Sequence, residues 1–269
     1  YVTLSAVALH LEPIQAVERS RLLPTRSEPL VIAHRGASRA APENTLEAFE
    51  IAIAAGADAV EFDVRRTADG VLVVHHSPRQ RRHPVTTLTY AELAHRSRHR
   101  PPRLQDLVQL CAGKVALDIE IKQPGVEAEA LRLALKRFEP GELLVTSFHE
   151  AVIRSAKQIA PKVRAGILLG AGRLRARSRR YRWMPLELAE QCGADFMVLH
   201  QVLAPEPRRR RRVPGVLDTA REHGVAVVIW TVNSTVRLAD YLSDQRVAGI
   251  ITDLPGVAVG LRRRIVLQP

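Results

Sequence analysis

The chain has 269 residues, and 40 lysine and arginine side chains against 28 aspartate and glutamate side chains give it a formal net charge of +12. With 46% apolar and 25% charged residues it has the composition of a globular protein with a sizeable core, which excludes disordered, collagen-like and disulfide-stapled chains. Cys111 and Cys192 lie far apart and lack the CxxC spacing of a zinc knuckle, so we expect both thiols to be buried and reduced.

No apolar run reaches the roughly 18 residues that a membrane-spanning helix needs. Residues 1–11 are apolar but lack the charged start of a secretory signal. We therefore expect a cytoplasmic protein that can associate peripherally with a membrane. The chain does not begin with Met, so a missing upstream segment stays an open alternative.

Short β-rich apolar runs alternate with helical patterns along the chain, as is typical of a parallel sheet wrapped by helices. The predicted strands are residues 30–34, 57–64, 114–121, 143–147, 163–168, 195–200, 225–232 and 249–252. The helical patterns between them include residues 45–55, 127–137, 150–159 and 216–223. This number of units in a chain of this length favours an α/β fold of the (β/α)8 TIM barrel type over a doubly wound sheet.

A further apolar run, residues 71–76, follows the second strand too closely for a parallel crossover, which needs roughly a dozen residues. The run must fold back as a β-hairpin, and Asp69-Gly70 is a strong turn signal for it. The hairpin brings His75 and His76 opposite Asp63, at the C-terminal end of the second strand. Barrel enzymes have their active sites at this end.

Two acidic pairs, Glu61 with Asp63 and Asp118 with Glu120, alternate along the second and third barrel strands. Residues two apart on a strand face the same side, and carboxylates that face into a barrel are costly unless a metal or a basic partner neutralises them. Oxygen ligands without cysteine favour Mg²⁺ or Ca²⁺ over zinc. A metal site is the favoured interpretation, and a salt-bridged rim is the alternative.

The first strand ends in His34-Arg35-Gly36, and Asn44 or Thr45 is positioned to cap the next helix. Gly36 permits a sharp turn, and the planar guanidinium of Arg35 suits phosphate oxygens. A lone histidine at a strand end is usually structural. This one meets a second histidine and the acidic residues at the same end of the barrel, which favours a catalytic role.

Taken in order, these motifs resemble the glycerophosphodiester phosphodiesterase family over residues 29–256. Each motif alone is weak, but the ordered set is specific. The set comprises His34-Arg35-Gly36, Pro42-Glu43-Asn44-Thr45, Glu61-x-Asp63, Asp69-Gly70 followed by Val73-Val74-His75-His76, Glu120-x-Lys122, Thr146-Ser147-Phe148, Trp230-Thr231-Val232-Asn233 and Gly249-Ile250-Ile251-Thr252-Asp253. The resemblance implies a TIM-barrel hydrolase of lipid and glycerol metabolism that releases glycerol 3-phosphate and an alcohol.

The resemblance also implies a metal site. Its ligands would be Glu61, Asp63 and Glu120, and they would bind one divalent cation, Mg²⁺ or Ca²⁺. Arg35 and Lys122 would hold the phosphate.

The catalytic acid and base implied by the resemblance are His34 and His76. His76 is preferred to His75 because the family places its histidine six residues after Gly70. The family usually follows this histidine with aspartate, which would orient the imidazole, whereas Ser77 stands here. A degenerate site that binds anionic ligands without turnover is therefore kept as an alternative.

Three further residues, Trp230, Phe148 and Asn233, are expected to line or shape the substrate pocket, with Asn44 beside them. Trp230 would form a wall for the glycerol, with a core position as its alternative. Asp253 either belongs to the site or caps the last helix. Attack by water and attack by the neighbouring glycerol hydroxyl, through a cyclic phosphate, are both left open.

The expected barrel domain covers residues 29–260, between an N-terminal extension of residues 1–28 and a C-terminal tail of residues 261–269. Residues 77–102 stand where the family inserts a subdomain over the site. This insertion is short and basic, so we expect an open entrance that admits bulky head groups. A lysophospholipase D-type enzyme acting on membrane lipids is therefore the runner-up to a diesterase of small substrates.

Arginine clusters occupy residues 79–82, 96–103, 173–182 and 208–212, each after a predicted strand and hence near the catalytic end. They are either solvated loops or an electropositive collar that attracts anionic phosphodiesters, lysophospholipids or an anionic membrane surface. The collar would favour larger or more acidic diesters than glycerophosphocholine. Nucleic-acid binding is disfavoured because aromatic residues, on which bases stack, form only 4% of the chain.

Overall fold

The structure is a computed structural model that describes residue 23 and residues 28–170, 184–204 and 215–267. The strands in this part of the chain are β1 (Leu30–His34), β2 (Ala59–Arg66), β3 (Leu72–Val74), β4 (Arg79–Gln80), β5 (His83–Pro84), β6 (Ala116–Ile121), β7 (Leu143–Ser147), β8 (Arg164–Leu169), β9 (Phe196–His200), β10 (Ala226–Trp230) and β11 (Gly249–Thr252). The α-helices are α1 (Leu46–Ala54), α2 (Tyr90–Arg96), α3 (Leu104–Cys111), α4 (Glu127–Ala134), α5 (Glu150–Ile159), α6 (Met184–Cys192), α7 (Val216–Glu222), α8 (Thr235–Leu242) and α9 (Pro255–Val266).

Eight parallel strands form a closed barrel, in the order β1, β2, β6, β7, β8, β9, β10 and β11, and β11 pairs again with β1. Helices connect these strands on the outside, which confirms the (β/α)8 barrel predicted from the sequence. The bounds of β1, β7 and β11 agree with the prediction residue for residue. β2 begins two residues later than predicted, because the amide of Ala57 donates to the carbonyl of Ala52 at the end of α1.

The predicted hairpin after the second strand is present. β3 pairs antiparallel with β2, with Val74 opposite Val64, and Gly70 in the turn has φ +82°. The strand is shorter than the predicted run 71–76, but the amide of His75 still donates to the carbonyl of Asp63 at 2.9 Å. The chain therefore returns along β2 to the level of Asp63, near the C-terminal ends of the barrel strands.

The insertion after the hairpin has its own small structure, with the two-stranded ribbon β4–β5 followed by helix α2. Thr89 and Glu92 form a capping box at the start of α2. Beneath the insertion lies a separate apolar cluster of Val73, Val85, Leu88, Tyr90 and Leu93. This cluster fixes the insertion on the outer face of β3.

Side chains fill the barrel interior near the N-terminal ends of the strands. The ring of Phe196 lies over Gly166, where an added Cβ would come within 2.3 Å of the ring. Leu23, only 2% exposed, packs with Leu30 and the other interior residues. Cys111 and Cys192 are buried, free thiols, as expected.

The last helix, α9, runs past residue 260, where the sequence suggested the end of the barrel domain. On its far side Arg262 donates to the carboxylate of Asp58 and to the carbonyl of Pro29. No helix in the described residues is both long and apolar enough to cross a membrane. The arginine clusters at residues 173–182 and 208–212 lie outside the described residues.

Candidate active site

Three buried carboxylates meet at the carboxyl ends of β2 and β6. The register places Asp63 beside Glu120 and Glu61 beside Asp118. One oxygen from each of Glu61, Asp63 and Glu120 lies within 4.8 Å of the other two, and none of these residues is more than 6% exposed. The acidic alternation in the sequence thus becomes one compact cluster of oxygen atoms.

Glu61 is held by the backbone of Arg35. The amide of Arg35, which has φ +55°, donates both to the carbonyl of Glu61 at 2.8 Å and to its Oε2 at 3.0 Å. The other carboxylate oxygen, Oε1, is buried and accepts no hydrogen bond from the described residues. Burial, and then repulsion from Asp63, Glu120 and Asp118, raises the pKa of Glu61 well above its usual value.

Asp63 is surrounded by positive charge. Its Oδ1 lies 2.9 Å from Nζ of Lys122, and its Oδ2 lies 3.1 Å from Nε of Arg35 and accepts from Nδ2 of Asn44 at 2.8 Å. Burial opposes ionisation, but Lys122 and Arg35 outweigh it and lower the pKa of Asp63 to about 2. Asp63 is therefore the fixed negative charge of the cluster.

Glu120 and Asp118 behave differently from Asp63. Burial and the neighbouring charge of Asp63 raise the pKa of Glu120 to about 7, although Nζ of Lys122 lies 2.6 Å from its Oε1. Burial likewise raises the pKa of Asp118 to about 7, against a hydrogen bond from Thr146 Oγ1 at 2.9 Å. The cluster thus holds more carboxyl groups than its cations neutralise, which favours a further positive charge.

His34 is paired with a carboxylate. Its Nδ1 donates to Oδ1 of Asp253 at 2.6 Å, and Ser38 Oγ donates to the same oxygen at 3.0 Å. Nδ2 of Asn233 donates to Oδ2 of Asp253 at 2.5 Å. Although burial opposes it, these partners lower the pKa of Asp253 to about 2. Asp253 is therefore ionised, and it fixes the imidazole of His34.

The sequence left the role of Asp253 open, and the structure decides against a helix cap. The N-cap of α9 is Leu254, without a side-chain cap hydrogen bond. The position of Asp253 beside His34 follows from strand register. Ala33 pairs with Thr252, so His34 and Asp253 are the next residues along two neighbouring strands.

The backbone carbonyl of His76 is held by an arginine for which the sequence predicted no role. Nε and Nη2 of Arg65 donate to the carbonyl of His76 at 3.0 and 2.9 Å. Burial, and then the charges of Arg35 and Lys122, lower the pKa of His76 to about 4, while Asp63 opposes the shift. Arg65 follows Asp63 by two residues and therefore faces the same side of β2.

Ser77 does not replace the missing aspartate beside His76. Its Oγ accepts from the amide of Arg79 at 3.3 Å, within the start of the insertion. His75, the alternative histidine, is half-buried, and its pKa is lowered by burial and by Arg65.

A narrow cleft opens above the acidic cluster. It is lined by His34, Glu61, Glu120, Thr146, Leu168, Trp230 and Ile251. Trp230 is half-buried and contacts the rings of Phe148 and His200 edge-on, with centroids 5.6 and 5.2 Å apart. Lys122 Nζ lies 5.8 Å from the Phe148 ring. Asn233 contacts Asp253 and lies outside this lining. The other predicted site residues that do not line the cleft are Arg35, Asp63, His76, Lys122 and Phe148.

Comparisons with known proteins agree on one family. Residues 34–257 match the model of the glycerophosphoryl diester phosphodiesterase family. A glycerophosphodiester phosphodiesterase of Caldanaerobacter subterraneus is 30% identical over 257 residues, which cover 87% of this chain and 98% of that protein.

Two solved structures are similar in fold. A glycerophosphodiester phosphodiesterase of Thermotoga maritima is 25% identical, with a TM-score of 0.70, covering 88% of this chain and all of that chain (100%). A phosphodiesterase of Oleispira antarctica, solved in complex with the product sn-glycerol-3-phosphate, has a TM-score of 0.71 at 24% identity, covering 87% of this chain and 96% of that chain. From the match over most of its length, the chain belongs to the glycerophosphoryl diester phosphodiesterase family.

Proposed function

We propose that this protein hydrolyses small glycerophosphodiesters to glycerol 3-phosphate and an alcohol. The observation that carries the proposal is the buried cluster of Glu61, Asp63 and Glu120, of which Glu61 and Glu120 line one cleft with His34. Membership of the family supports the same reaction. A phosphodiester anion resists nucleophiles, so a site that cleaves it needs concentrated positive charge and placed proton donors and acceptors.

The acidic cluster fits a divalent cation. Its donors are all carboxylate oxygens, the set that Mg²⁺ and Ca²⁺ prefer. Oε1 of Glu61 is buried without a hydrogen bond from the described residues, and burial together with repulsion between neighbouring carboxylates raises the pKa values of Glu61 and Glu120. We therefore assign the site to Glu61, Asp63 and Glu120. A bound cation supplies charge neutralisation to the phosphate oxygens.

We infer that two cations of the chain, Arg35 and Lys122, hold the phosphate. Arg35 and Lys122 both contact Asp63, at the top of the acidic cluster. The fork of Arg35 can donate two parallel hydrogen bonds to phosphate oxygens, and Lys122 adds a point charge.

We assign His76 as the base and His34 as the acid. The lowered pKa keeps the His76 imidazole neutral at neutral pH, so that it can accept the proton of the attacking oxygen. As the phosphorus–oxygen bond to the alcohol breaks, His34 donates a proton to the leaving oxygen. Asp253 holds the Nδ1–H of His34, which directs Nε2 away from the carboxylate. The attacking oxygen comes from water or from the neighbouring glycerol hydroxyl.

The test is release of glycerol 3-phosphate from glycerophosphocholine and glycerophosphoglycerol, measured with a coupled dehydrogenase after EDTA treatment and after Mg²⁺ or Ca²⁺ is restored. We expect metal-dependent release that His34→Ala and His76→Ala abolish. His95→Ala, which removes an exposed histidine of α2, is the matched control and should retain activity. No release with either metal would instead support the non-catalytic binder.

A diester of a glycerol analogue that lacks the neighbouring hydroxyl separates the two attacking groups. Retained turnover indicates attack by water. Loss of turnover, together with a cyclic phosphate detected by phosphorus NMR on the normal substrate, indicates attack by the hydroxyl.

A further inference from the structure

The insertion beside the active site carries a large share of the protein's charge. Residues 77–103 contain seven arginines and a single acidic residue, Glu92, so their formal charge is 7 − 1 = +6, half of the +12 of the whole chain. We call β4, its turn to β5 and the residues at and just after the end of α2 the basic arm. The arginines of the basic arm are Arg79, Arg81, Arg82, Arg96 and Arg98.

These arginines are not used to stabilise the fold by ion pairs. Arg79, Arg81 and Arg82 are exposed and have no salt bridge to a carboxylate in the described ranges. The two arginines of residues 77–103 that lie outside the basic arm differ: Arg100 and Arg103 pack on the ring of Tyr90, at 5.4 and 4.6 Å from its centroid. The free charge is therefore concentrated in the ribbon and at the end of α2.

The basic arm is held in place by packing and hydrogen bonds. The apolar cluster around Tyr90 anchors it to β3, and the capping box fixes the start of α2. Gln80 Nε2 donates to the carbonyl of Arg96 at 2.8 Å, which ties β4 to the end of α2. When a charged side chain binds a ligand, less backbone entropy is lost if the backbone is already ordered than if it belongs to a free loop.

The basic arm also lies close to the reacting centre. Arg79 is three residues after His76, so its Cα is within about 11 Å of the Cα of His76. This upper limit keeps the start of the basic arm near an alcohol that extends from a phosphate held beside His76.

We propose that the basic arm is a second anion subsite, which binds a phosphate carried on the alcohol of the substrate. The preferred substrates are then glycerophosphodiesters whose alcohol is itself phosphorylated. This inference rests on the diesterase function proposed above, and it adds the substrate class.

The test compares two substrates that differ only in this phosphate: glycerophosphopropanediol, and the same diester phosphorylated on the free propanediol hydroxyl. We expect kcat/KM to be about tenfold higher for the phosphorylated diester at low salt, since several exposed ion pairs each contribute modestly. The preference should shrink in 0.5 M KCl, where exposed charges are screened within a few ångströms. In Arg79→Gln/Arg81→Gln/Arg82→Gln the preference should fall below about twofold, with turnover of the unphosphorylated diester retained.

The matched control is Arg132→Gln/Lys136→Gln/Arg137→Gln, which removes the same charge from exposed positions on and after α4. This variant should keep the wild-type preference. Equal loss in both variants would overturn the subsite in favour of general attraction by net charge. An unchanged preference in the basic-arm variant, or binding of that arm to anionic lipid vesicles without a substrate preference, would also overturn it. If neither substrate is hydrolysed by the wild type, the diesterase function itself fails.

Discussion

Nδ1 of His34 and Oδ1 of Asp253 lie 2.6 Å apart, across the seam where β11 closes the barrel against β1. The pair gives one of the two histidines a fixed carboxylate partner, while His76 has Ser77 where the family usually has aspartate. The two imidazoles are thus supported differently: His34 by a charge and His76 through its backbone carbonyl, which Arg65 holds.

Asp253→Asn tests the first support. Asparagine keeps an acceptor for Nδ1 of His34 but removes the charge, so we expect kcat to fall by about 10–100-fold. KM should change little, because Asp253 does not line the cleft. Ser38→Ala, which removes one hydrogen bond to the same oxygen, is the control and should cost less than about threefold. Steady-state kinetics with an unchanged kcat for Asp253→Asn would contradict a positioning role.

Arg65→Met tests the second support. The variant removes both hydrogen bonds to the carbonyl of His76, so we expect kcat to fall by about tenfold or more as the imidazole loses its orientation. Arg65→Lys keeps one donor and should recover part of the loss. Arg66→Met is the neighbouring control, since Arg66 pairs with Glu129 on the outside of the barrel. If Arg65→Met and Arg66→Met lowered kcat equally, the cause would be a general disturbance of β2 and not the lost support of His76.

Glu61→Gln tests the metal site without an activity assay. Removing a buried carboxyl group from among other carboxyl groups relieves repulsion, so the metal-free variant should melt at the wild-type temperature or above it. Mg²⁺ or Ca²⁺ at about 100 times its Kd should stabilise the wild type by about 2.7 kcal/mol. The variant should lose most of that gain. Differential scanning fluorimetry measures both effects, and equal metal stabilisation of the two proteins would exclude Glu61 as a ligand.

Asp118→Asn tests the raised pKa of a carboxyl group below the metal site. The pKa of Asp118 is about 7 in the folded chain and near 4 when unfolded, so the folded state binds the extra proton between these values. The free energy of unfolding of the wild type should therefore fall, relative to the variant, as pH rises from 4 through 7, by up to about 4 kcal/mol. Urea unfolding of the metal-free proteins at pH 5 and pH 8 measures the difference. A difference that is the same at both pH values would refute the raised pKa.

Two glycines should respond oppositely to alanine. In Gly166→Ala the new methyl group meets the Phe196 ring inside the barrel, so we expect a loss of about 1–3 kcal/mol that Phe196→Leu partly restores. Gly260 lies within α9 with open space around it, and Gly260→Ala should stabilise the protein by about 0.5–1 kcal/mol. Thermal and urea unfolding would show the two signs.

The alternation of strands and helices was sufficient to predict the barrel, and the short link at Asp69-Gly70 was sufficient to predict the hairpin. Both follow from local patterns and from the length of chain that a crossover needs. The start of β2 could not be predicted as well. The amide of Ala57 donates to the end of α1 and not to a neighbouring strand, and the apolar pattern of the sequence does not show which of the two elements it joins.

The acidic residues of the site could be predicted from the sequence, but the contacts that support the two histidines could not. Glu61 and Asp63 are two residues apart on one strand, so the sequence alone shows that they share a face. The structure brings both together with Glu120. The contacts of Asp253 and Arg65 are made across strands to a side chain and to a backbone carbonyl. They depend on strand register and on the twist of the hairpin, neither of which a single strand's pattern records.

The register of β2 with β6 sorts charge by height along the barrel axis. Glu61 and Asp118 form the lowest level, Asp63 and Glu120 the next, and Arg65 and Lys122 follow them at the mouth. In the function proposed above, the phosphate of the substrate would be attracted to the positive charges at the mouth of the barrel. The carboxylates beneath would repel it and would be left to bind the cation.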